Sequence, residues 1–298
     1  MKLKLTVLLL ALWSVKTLAQ SPTDGLLMQK RQWCNVLQYT NSSWSEYWEG
    51  TNKRSNLNLG TVTNQSVLLM SAYGITNKLN VMAALPWIRT GSSASYLQGQ
   101  SGIQDFALWL KWQAYEIKMG SNALRFQTTG GVSVPASQYQ TDFLPFSIGL
   151  KCKMASLRGI VHFTTAKGWY ATAQAGHSWR SDVKIDRDAY IYNNQLIYGN
   201  RVPTPNFFDA TLRLGILRPK FQAELWAERG ACLSGDDIRY NEGPMLTNKM
   251  QATSTGAWAK YWITRQFAVS AGGAYVLQGR NVGQSTAING GIFYMFTL

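Results

Sequence analysis

The chain has two histidines, His162 and His177, and these are the natural candidates for a catalytic base. A serine nucleophile needs such a base beside it. His177 is followed directly by Ser178, and neighbouring side chains of an extended strand point to opposite faces. His162 shares a strand face with Thr164, no serine joins them, and the sequence G-x-S-x-G does not occur. We therefore interpret both histidines as structural and predict no catalytic residues.

The cysteines give no stronger chemical signal. Cys34, Cys152 and Cys232 lie far apart, and their spacing matches no metal-binding motif. Three is an odd number, so at least one thiol is free unless it pairs between chains. The chain also lacks a glycine-rich phosphate loop after a strand. We predict neither a metal nor another cofactor.

Charged side chains recur at a spacing that does suggest a role. In residues 103–115 the apolar Phe106, Leu108 and Leu110 alternate with a face that carries Asp105 and Lys111. Period-two alternation of this kind is typical of a strand with one apolar side. Across the chain, seven charges fall on the polar face of such segments and are predicted to line an interior lumen: Lys111, Arg125, Arg158, Arg213, Glu224, Glu228 and Lys260. They either set a charge preference for a solute or pair with one another and fill the lumen.

Twelve alternating segments position these residues. We predict strands over 31–40, 61–73, 79–90, 103–115, 122–134, 154–165, 168–180, 206–217, 220–232, 250–263, 267–278 and 286–298. Ten or fourteen strands remain open alternatives if a long connection hides a hairpin, and 135–153 and 181–205 are the places for one. Residues 146–150 are a candidate strand within the first of these connections.

The connections alternate strictly between long and short. Long connections such as 41–60 and 181–205 follow the odd-numbered strands, and short ones such as 74–78 and 218–219 follow the even-numbered strands. Outer-membrane barrels show this arrangement, with longer outward loops and tight periplasmic turns. Aromatic residues also gather near the predicted periplasmic ends, as a membrane interface favours. The predicted fold class is all-β, a transmembrane antiparallel up-and-down β-barrel.

The N-terminus predicts export. Lys2 and Lys4 precede an apolar run that is too short for a mature membrane helix, and residues 17–19 end in Ala19. This is the pattern of a secretory signal peptide over 1–19, which leaves 20–298 as one barrel domain. The net charge is +14, yet only 15% of residues are charged, below the roughly 25% typical of globular domains. The charges are scattered, so we predict no nucleic-acid partner and relate them to anionic lipopolysaccharide.

A family resemblance adds to this interpretation. The sequence Tyr73-Gly74-Ile75-Thr76-Asn77-Lys78-Leu79, then Leu85-Pro86-Trp87, then Ser101-Gly102-Ile103-Gln104-Asp105 resembles the outer-membrane proteins of the "meta-pathway of phenol degradation" family. The match covers about 60–115, and Gln104 stands where many members have glycine. The resemblance implies a barrel that admits small, often hydrophobic, molecules. The last strand is similar to the C-terminal signal read by barrel-insertion machinery, although it ends in Leu298 where phenylalanine is usual.

Three functions follow as hypotheses. The first is passage of small solutes, hydrophobic ones among them, across the outer membrane. The second is a plugged structural barrel or a surface-binding barrel, with Trp44, Tyr47 and Trp48 as candidate contacts in an outer loop. The third, a lipid hydrolase, is disfavoured by the histidines. Predicted partners are outer-membrane lipid and lipopolysaccharide, barrel-insertion machinery and a small solute, and the oligomeric state stays open.

Overall fold

The computed structural model describes residues 21–239 and 243–298. The predicted signal peptide, residues 1–19, lies outside the described residues. Within the described ranges, no helix is long and apolar enough to cross a membrane.

Twelve long antiparallel strands form a single closed sheet. Each strand pairs with the next along the chain, and β1 pairs with both β2 and β12. The predicted all-β, twelve-stranded, up-and-down barrel is therefore confirmed. The strands are β1 (Gln32–Trp44), β2 (Val62–Gly74), β3 (Leu79–Ser92), β4 (Asp105–Met119), β5 (Asn122–Pro135), β6 (Met154–Thr164), β7 (Trp169–Arg180), β8 (Phe207–Leu217), β9 (Phe221–Cys232), β10 (Gln251–Trp262), β11 (Phe267–Arg280) and β12 (Thr286–Thr297).

The two ends of the barrel differ in their connections. At one end, here called the turn end, the strands are joined by residues 75–78, 120–121, 165–168, 218–220 and 263–266. Gly120 and Gly168 adopt φ of 61° and 76° there, a region that glycine enters without steric cost. At the other end, the loop end, the connections are 45–61, 93–104, 136–153, 181–206, 233–250 and 281–285.

The long connections contain hairpins that stay outside the barrel sheet. Glu46–Glu49 pairs with Asn52–Ser55, and Ala189–Tyr192 pairs with Gln195–Tyr198. The short strand Ser101–Ile103 does pair with β3 in the barrel sheet, but it lies directly before β4 and adds no further long strand, so the number of long strands is twelve. The prediction of a strand over residues 146–150 is wrong, because the backbone N–H of Phe146 bonds to the Phe143 carbonyl at 2.7 Å within a turn.

Strand β4 contains an irregularity that simple alternation misses. Its pairing with β5 shifts between Gln113 and Tyr115, so Ala114 is an extra residue. A bulge of this kind moves the following side chains to the other face. Gln113 is buried inside the barrel, whereas Tyr115 is 63% exposed on the outer surface.

The outer surface carries a continuous band of apolar side chains. Leu212, Leu214 and Leu225 are each more than 60% exposed at the middle of their strands. Closure also leaves no strand edge unpaired, as the interior of a bilayer requires. Together these features suit a barrel that is surrounded by lipid.

We expect an arginine at the middle of this band to destabilise the barrel. Leu212→Arg should lower the free energy of unfolding in lipid vesicles by about 2–4 kcal/mol, because the charge faces hydrocarbon at mid-depth. Leu233→Arg is the matched control, since Leu233 is exposed just beyond β9 at the loop end, and its cost should stay below about 1 kcal/mol. Equal losses for both variants would argue against a lipid-facing band. Denaturant titration of the refolded variants measures the difference.

Candidate functional site in the barrel lumen

The inward-facing side chains divide the lumen into two halves of different chemistry. The polar half is formed by β4–β9, where buried residues include Gln127, Thr129, Gln174 and Thr211. The apolar half is formed by β10–β12 and β1–β3, and its apolar side chains include Cys34, Val36, Leu68, Met70, Ala72, Met82, Ala84, Trp258, Trp262, Ala268, Phe293 and Met295. Trp109 of β4 packs at the border between them.

All three predicted lumen arginines pair with carboxylates of the wall itself. Arg125 bonds to Glu116 at 3.2 Å, and Arg158 bonds to Asp209 at 2.9 Å. Arg213 bonds to Glu224 at 2.7 Å. These pairs lie along the wall, so the arginines have neutralising partners without spanning the bore.

Glu228 has a neutral partner in the wall. Its carboxylate accepts a hydrogen bond from the Thr211 hydroxyl at 3.0 Å. All seven predicted charges lie on inward-facing positions of their strands. Their effect on solute preference remains a prediction.

Two glycines allow long side chains to lie flat against the wall. Arg158 on β6 reaches Asp209 on β8 by crossing Gly176 of β7, and a Cβ at Gly176 would overlap the Arg158 side chain. Tyr170 crosses Gly215 in the same way, and its hydroxyl donates to Glu224 at 2.9 Å. The glycines thus keep these polar contacts close to the sheet and leave space in the bore.

Residues 21–31, here called the plug, run from the start of β1 into the lumen. The plug enters at the turn end, where the Lys30 N–H bonds to Asn77 at 2.8 Å and the Arg31 N–H bonds to the Gly74 carbonyl at 2.8 Å. Met28 is fully buried among the apolar side chains of the lumen, and Gly25 and Leu26 are buried further along. The segment before the first strand therefore occupies the interior of the barrel.

Four strands of the wall donate hydrogen bonds to the plug. The Asn80 amide bonds to the Met28 carbonyl at 3.2 Å, and the Gln127 amide bonds to the Gly25 carbonyl at 2.9 Å. Arg213 bonds to the Thr23 hydroxyl at 3.0 Å. Lys111 completes the set from β4. In each of these contacts the wall is the donor and the plug is the acceptor.

Lys111 makes the most extensive of these contacts. Its side chain is fully buried, and its Nζ bonds to the Ser21 carbonyl at 3.1 Å, to the Asp24 carbonyl, and to the Asp24 carboxylate at 2.8 Å. A buried ammonium requires a compensating charge and hydrogen bonds. The plug supplies both, so Lys111 differs from the three arginines that find carboxylates in the wall.

Lys260 lies in the apolar half and is surrounded by aromatic rings. Its Nζ is 5.7 Å from the Trp258 ring, 5.1 Å from the Trp262 ring and 5.4 Å from the Phe293 ring. The side chain is 1% exposed and its Nζ has no hydrogen-bond partner among the described residues. Cation–π attraction holds an ammonium at such distances, but it supplies no hydrogen-bond acceptor.

A cavity of about 420 Å³ borders the tip of the plug. Residues 21–24 line it together with side chains from both halves of the lumen. The apolar contribution includes Met70, Trp109 and Phe293, and the polar contribution from the wall includes Arg213, Glu224 and Glu228. Ligand pockets for small molecules have volumes of roughly 300–1,000 Å³. The space therefore suits a small solute with an apolar body and a polar end.

Long connections cover the loop end of the barrel. Ile148 and Tyr139 fold inward against Ile88 of β3, and the Thr90 hydroxyl bonds to the Phe146 carbonyl at 2.6 Å. An apolar cluster joins connections 136–153, 181–206 and 233–250 through Cys152, Val183, Ile185, Tyr190, Val202 and Leu246. Burial raises the pKa of Tyr139, whose hydroxyl donates to Asp105 at 2.6 Å.

The aromatic residues predicted as loop contacts pack within the loop end. Trp48 is 6% exposed, and its backbone N–H donates to the Val282 carbonyl at 2.9 Å. Trp44 lies against Gly283, with its ring 6.2 Å from that of Tyr47. These contacts account for Trp48 as a packing residue and leave Trp44 and Tyr47 partly exposed.

The histidines occupy different faces of the wall. His162 is buried in the lumen, where its Nδ1 is 2.7 Å from the Thr172 hydroxyl and its ring lies against Gly25 of the plug. His177 faces outward beside Trp179. Among the described residues, no group of three or more His, Cys, Asp or Glu residues is placed to hold a metal ion.

Comparison with known proteins gives a fold relationship. No protein-family model and no curated protein sequence matches the chain. An outer membrane channel from Pseudomonas putida F1 matches with a TM-score of 0.73 and 17% identity over 93% of this chain and 100% of that chain. The NanC porin matches with a TM-score of 0.49 and 9% identity over 87% and 98% of the two chains. The translocator domain of autotransporter NalP from Neisseria meningitidis matches with a TM-score of 0.47 and 12% identity over 92% of this chain and 90% of that domain.

At 17% identity, the first of these similarities shows the fold. The closed barrel of this chain has the architecture of that outer membrane channel along nearly its full length. The class that the fold defines is thus a twelve-stranded barrel of the outer-membrane type, with an interior plug and a cavity beside it.

We expect a side chain at Gly25 to displace the plug. A Cβ built on Gly25 would overlap the His162 ring, and steric overlap in a packed interior costs about 1–3 kcal/mol. Gly25→Val should therefore increase protease cleavage within residues 21–27 about tenfold in the refolded barrel. Gln29→Val is the control, because Gln29 is exposed in the same segment. A fully protected plug in Gly25→Val would contradict this packing.

The loop end contains a contact that should respond to pH. Hydrogen bonds from Arg280, at 2.7 and 2.6 Å, hold the pKa of Asp237 below its usual range, and Asn281 adds another at 2.8 Å. A lowered carboxyl pKa means that the contact is present above about pH 4 and is lost as the pH falls through the lowered value. The protection of the backbone amides of residues 233–239 against hydrogen exchange, relative to an unfolded chain at the same pH, should thus fall only below about pH 4. Asp237→Asn should remove this dependence on pH. A loss of protection already near pH 6 would contradict the role of the Asp237 carboxylate.

Proposed function

We propose that this chain is an outer-membrane channel for small molecules whose bore is closed by the plug. The observation that carries the proposal is a cavity between a polar and an apolar wall, bordered by a chain segment that is held through noncovalent contacts. A segment held in this way can leave without breaking a covalent bond or a barrel strand pair.

An outer-membrane location is supported by several independent features. The exposed middle of the strands is apolar, the sheet has no free edge, and the fold is that of an outer membrane channel. The predicted signal peptide supplies a route of export. Barrel-insertion machinery, lipid and lipopolysaccharide are the partners that such a location implies.

The two-sided lumen favours solutes with an apolar body. Met70, Trp109 and Phe293 offer apolar and aromatic surface within the cavity, which a purely polar pore would not contain. The resemblance to the "meta-pathway of phenol degradation" family points in the same direction. We therefore propose small, partly hydrophobic molecules as the transported class.

The plugged structural barrel is the competing hypothesis. It has the same fold and the same wall contacts, but its plug does not leave. Surface binding through Trp44 and Tyr47 is a further possibility that these residues' partial exposure permits. Conductance separates a channel from both alternatives.

We expect removal of the plug tip to open the barrel. A chain that begins at Met28 lacks Asp24 and the other acceptors for Lys111, Gln127 and Arg213, and it should show steady ohmic conductance in a planar bilayer. A chain that begins at Gln20 should be closed most of the time, and its Pro22→Ala variant serves as a control with the plug intact.

Heat-dependent gel mobility first establishes that each barrel has folded. If both folded chains are silent, the barrel is structural and the channel proposal fails. If both conduct equally, the barrel is a channel but the plug does not close it.

A further inference from the structure

The cations of the lumen differ in where their carboxylate partners lie. Arg125, Arg158 and Arg213 each have a carboxylate partner on the wall. Lys111 instead has its carboxylate on the plug. When the plug leaves, Lys111 loses its only carboxylate partner among the described residues and remains as an unpaired ammonium inside the barrel.

The plug tip presents the features of a ligand to this site. The Asp24 carboxylate contacts the Lys111 ammonium, and the neighbouring Thr23 hydroxyl accepts from Arg213. Beside them the cavity offers Trp109, Met70 and Phe293. A small molecule that combines a carboxylate with an apolar body would satisfy both surfaces at once.

The aromatic cage of Lys260 strengthens the same conclusion. Its buried Nζ lacks a hydrogen-bond acceptor among the described residues, and two of the rings around it, Trp258 and Phe293, also line the cavity. Met28 of the plug packs in the same apolar cluster as Trp262 and Phe293. Lys260 is therefore a second cationic group, on β10, and the rings that surround it pack in the cluster that Met28 of the plug joins.

We propose that the lumen binds small amphipathic monocarboxylates, and that the ligand carboxylate competes with Asp24 for Lys111. This inference rests on the proposed function, since it names the solute class of that same lumen. Binding of the ligand and seating of the plug exclude each other, so the solute itself favours the unplugged state. The aromatic and methionine side chains of the apolar half contact the apolar body of the ligand.

The test is binding of para-fluorobenzoate to the full mature chain, followed by fluorine NMR. Para-fluorobenzamide is the matched neutral probe, and para-fluorobenzylamine is the matched cation. We expect the carboxylate to bind about tenfold more tightly than the amide, as suits one charge-assisted hydrogen bond. Equal binding of acid and amide, or tighter binding of the amine, would overturn the proposal.

Substitutions at the shared contact make the test specific. Lys111→Met should weaken fluorobenzoate binding about tenfold, whereas Asp24→Asn should tighten it about tenfold by removing the competing carboxylate. In the double variant the gain from Asp24→Asn should disappear, because the two changes act on one contact. Arg125→Met removes a lumen cation that has its own wall partner, and its effect should be smaller than that of Lys111→Met.

The outcomes separate this inference from the proposed function. Unchanged or weaker fluorobenzoate binding in a folded Asp24→Asn variant would show that the two carboxylates do not compete, and the inference would fail. Conductance of the chain that begins at Met28 would still support a channel. Binding without conductance in any variant would retain the ligand site and reject transport.

Discussion

The ion pair between Lys111 and Asp24 is the contact on which the position of the plug depends. It joins the wall to the plug at a fully buried ammonium, where breaking a pair is far more costly than on a surface. The hydrogen bonds from Asn80, Gln127 and Arg213 align the plug around it. The strands could form the closed sheet without this segment, because they pair only with one another. The interior would then contain the Lys111 ammonium without a carboxylate partner.

The sequence predicts the barrel well because its signal repeats. In β8, Phe208 and Leu212 face outward while Asp209 and Thr211 face inward, and most strands follow the same rule. The apolar half of the lumen escapes this rule. Met82 and Ala84 of β3 face the interior, although the neighbouring positions Val81, Ala83 and Leu85 are apolar as well, so alternation cannot assign the two faces by polarity.

The plug could not be predicted from residue types. It shows no alternation, and most of its acceptors are backbone carbonyls, which every residue carries. Asp24 is the only acidic residue of the plug, and an isolated acid before a first strand is equally compatible with a position exposed to solvent. The inward positions of Lys111 and Arg213 follow from their strands, but the partner of Lys111 lies outside every strand. The Arg158–Asp209 pair likewise depends on Gly176, and the Tyr170–Glu224 hydrogen bond on Gly215; the role of each glycine appears only when neighbouring strands are in register.

The plug is continuous with β1, with a bond from the Arg31 N–H to the Gly74 carbonyl at its base. In the proposed exchange with a solute, the Asp24 carboxylate is a tethered competitor, present at an effective concentration on the order of millimolar whatever the abundance of the protein. A free solute must approach that level before it displaces the plug for a substantial fraction of the time. The length of the tether therefore sets the solute concentration at which the plug is displaced. A barrel of this design would stay closed when its solute is scarce and would be open for a growing fraction of the time as the solute concentration rises.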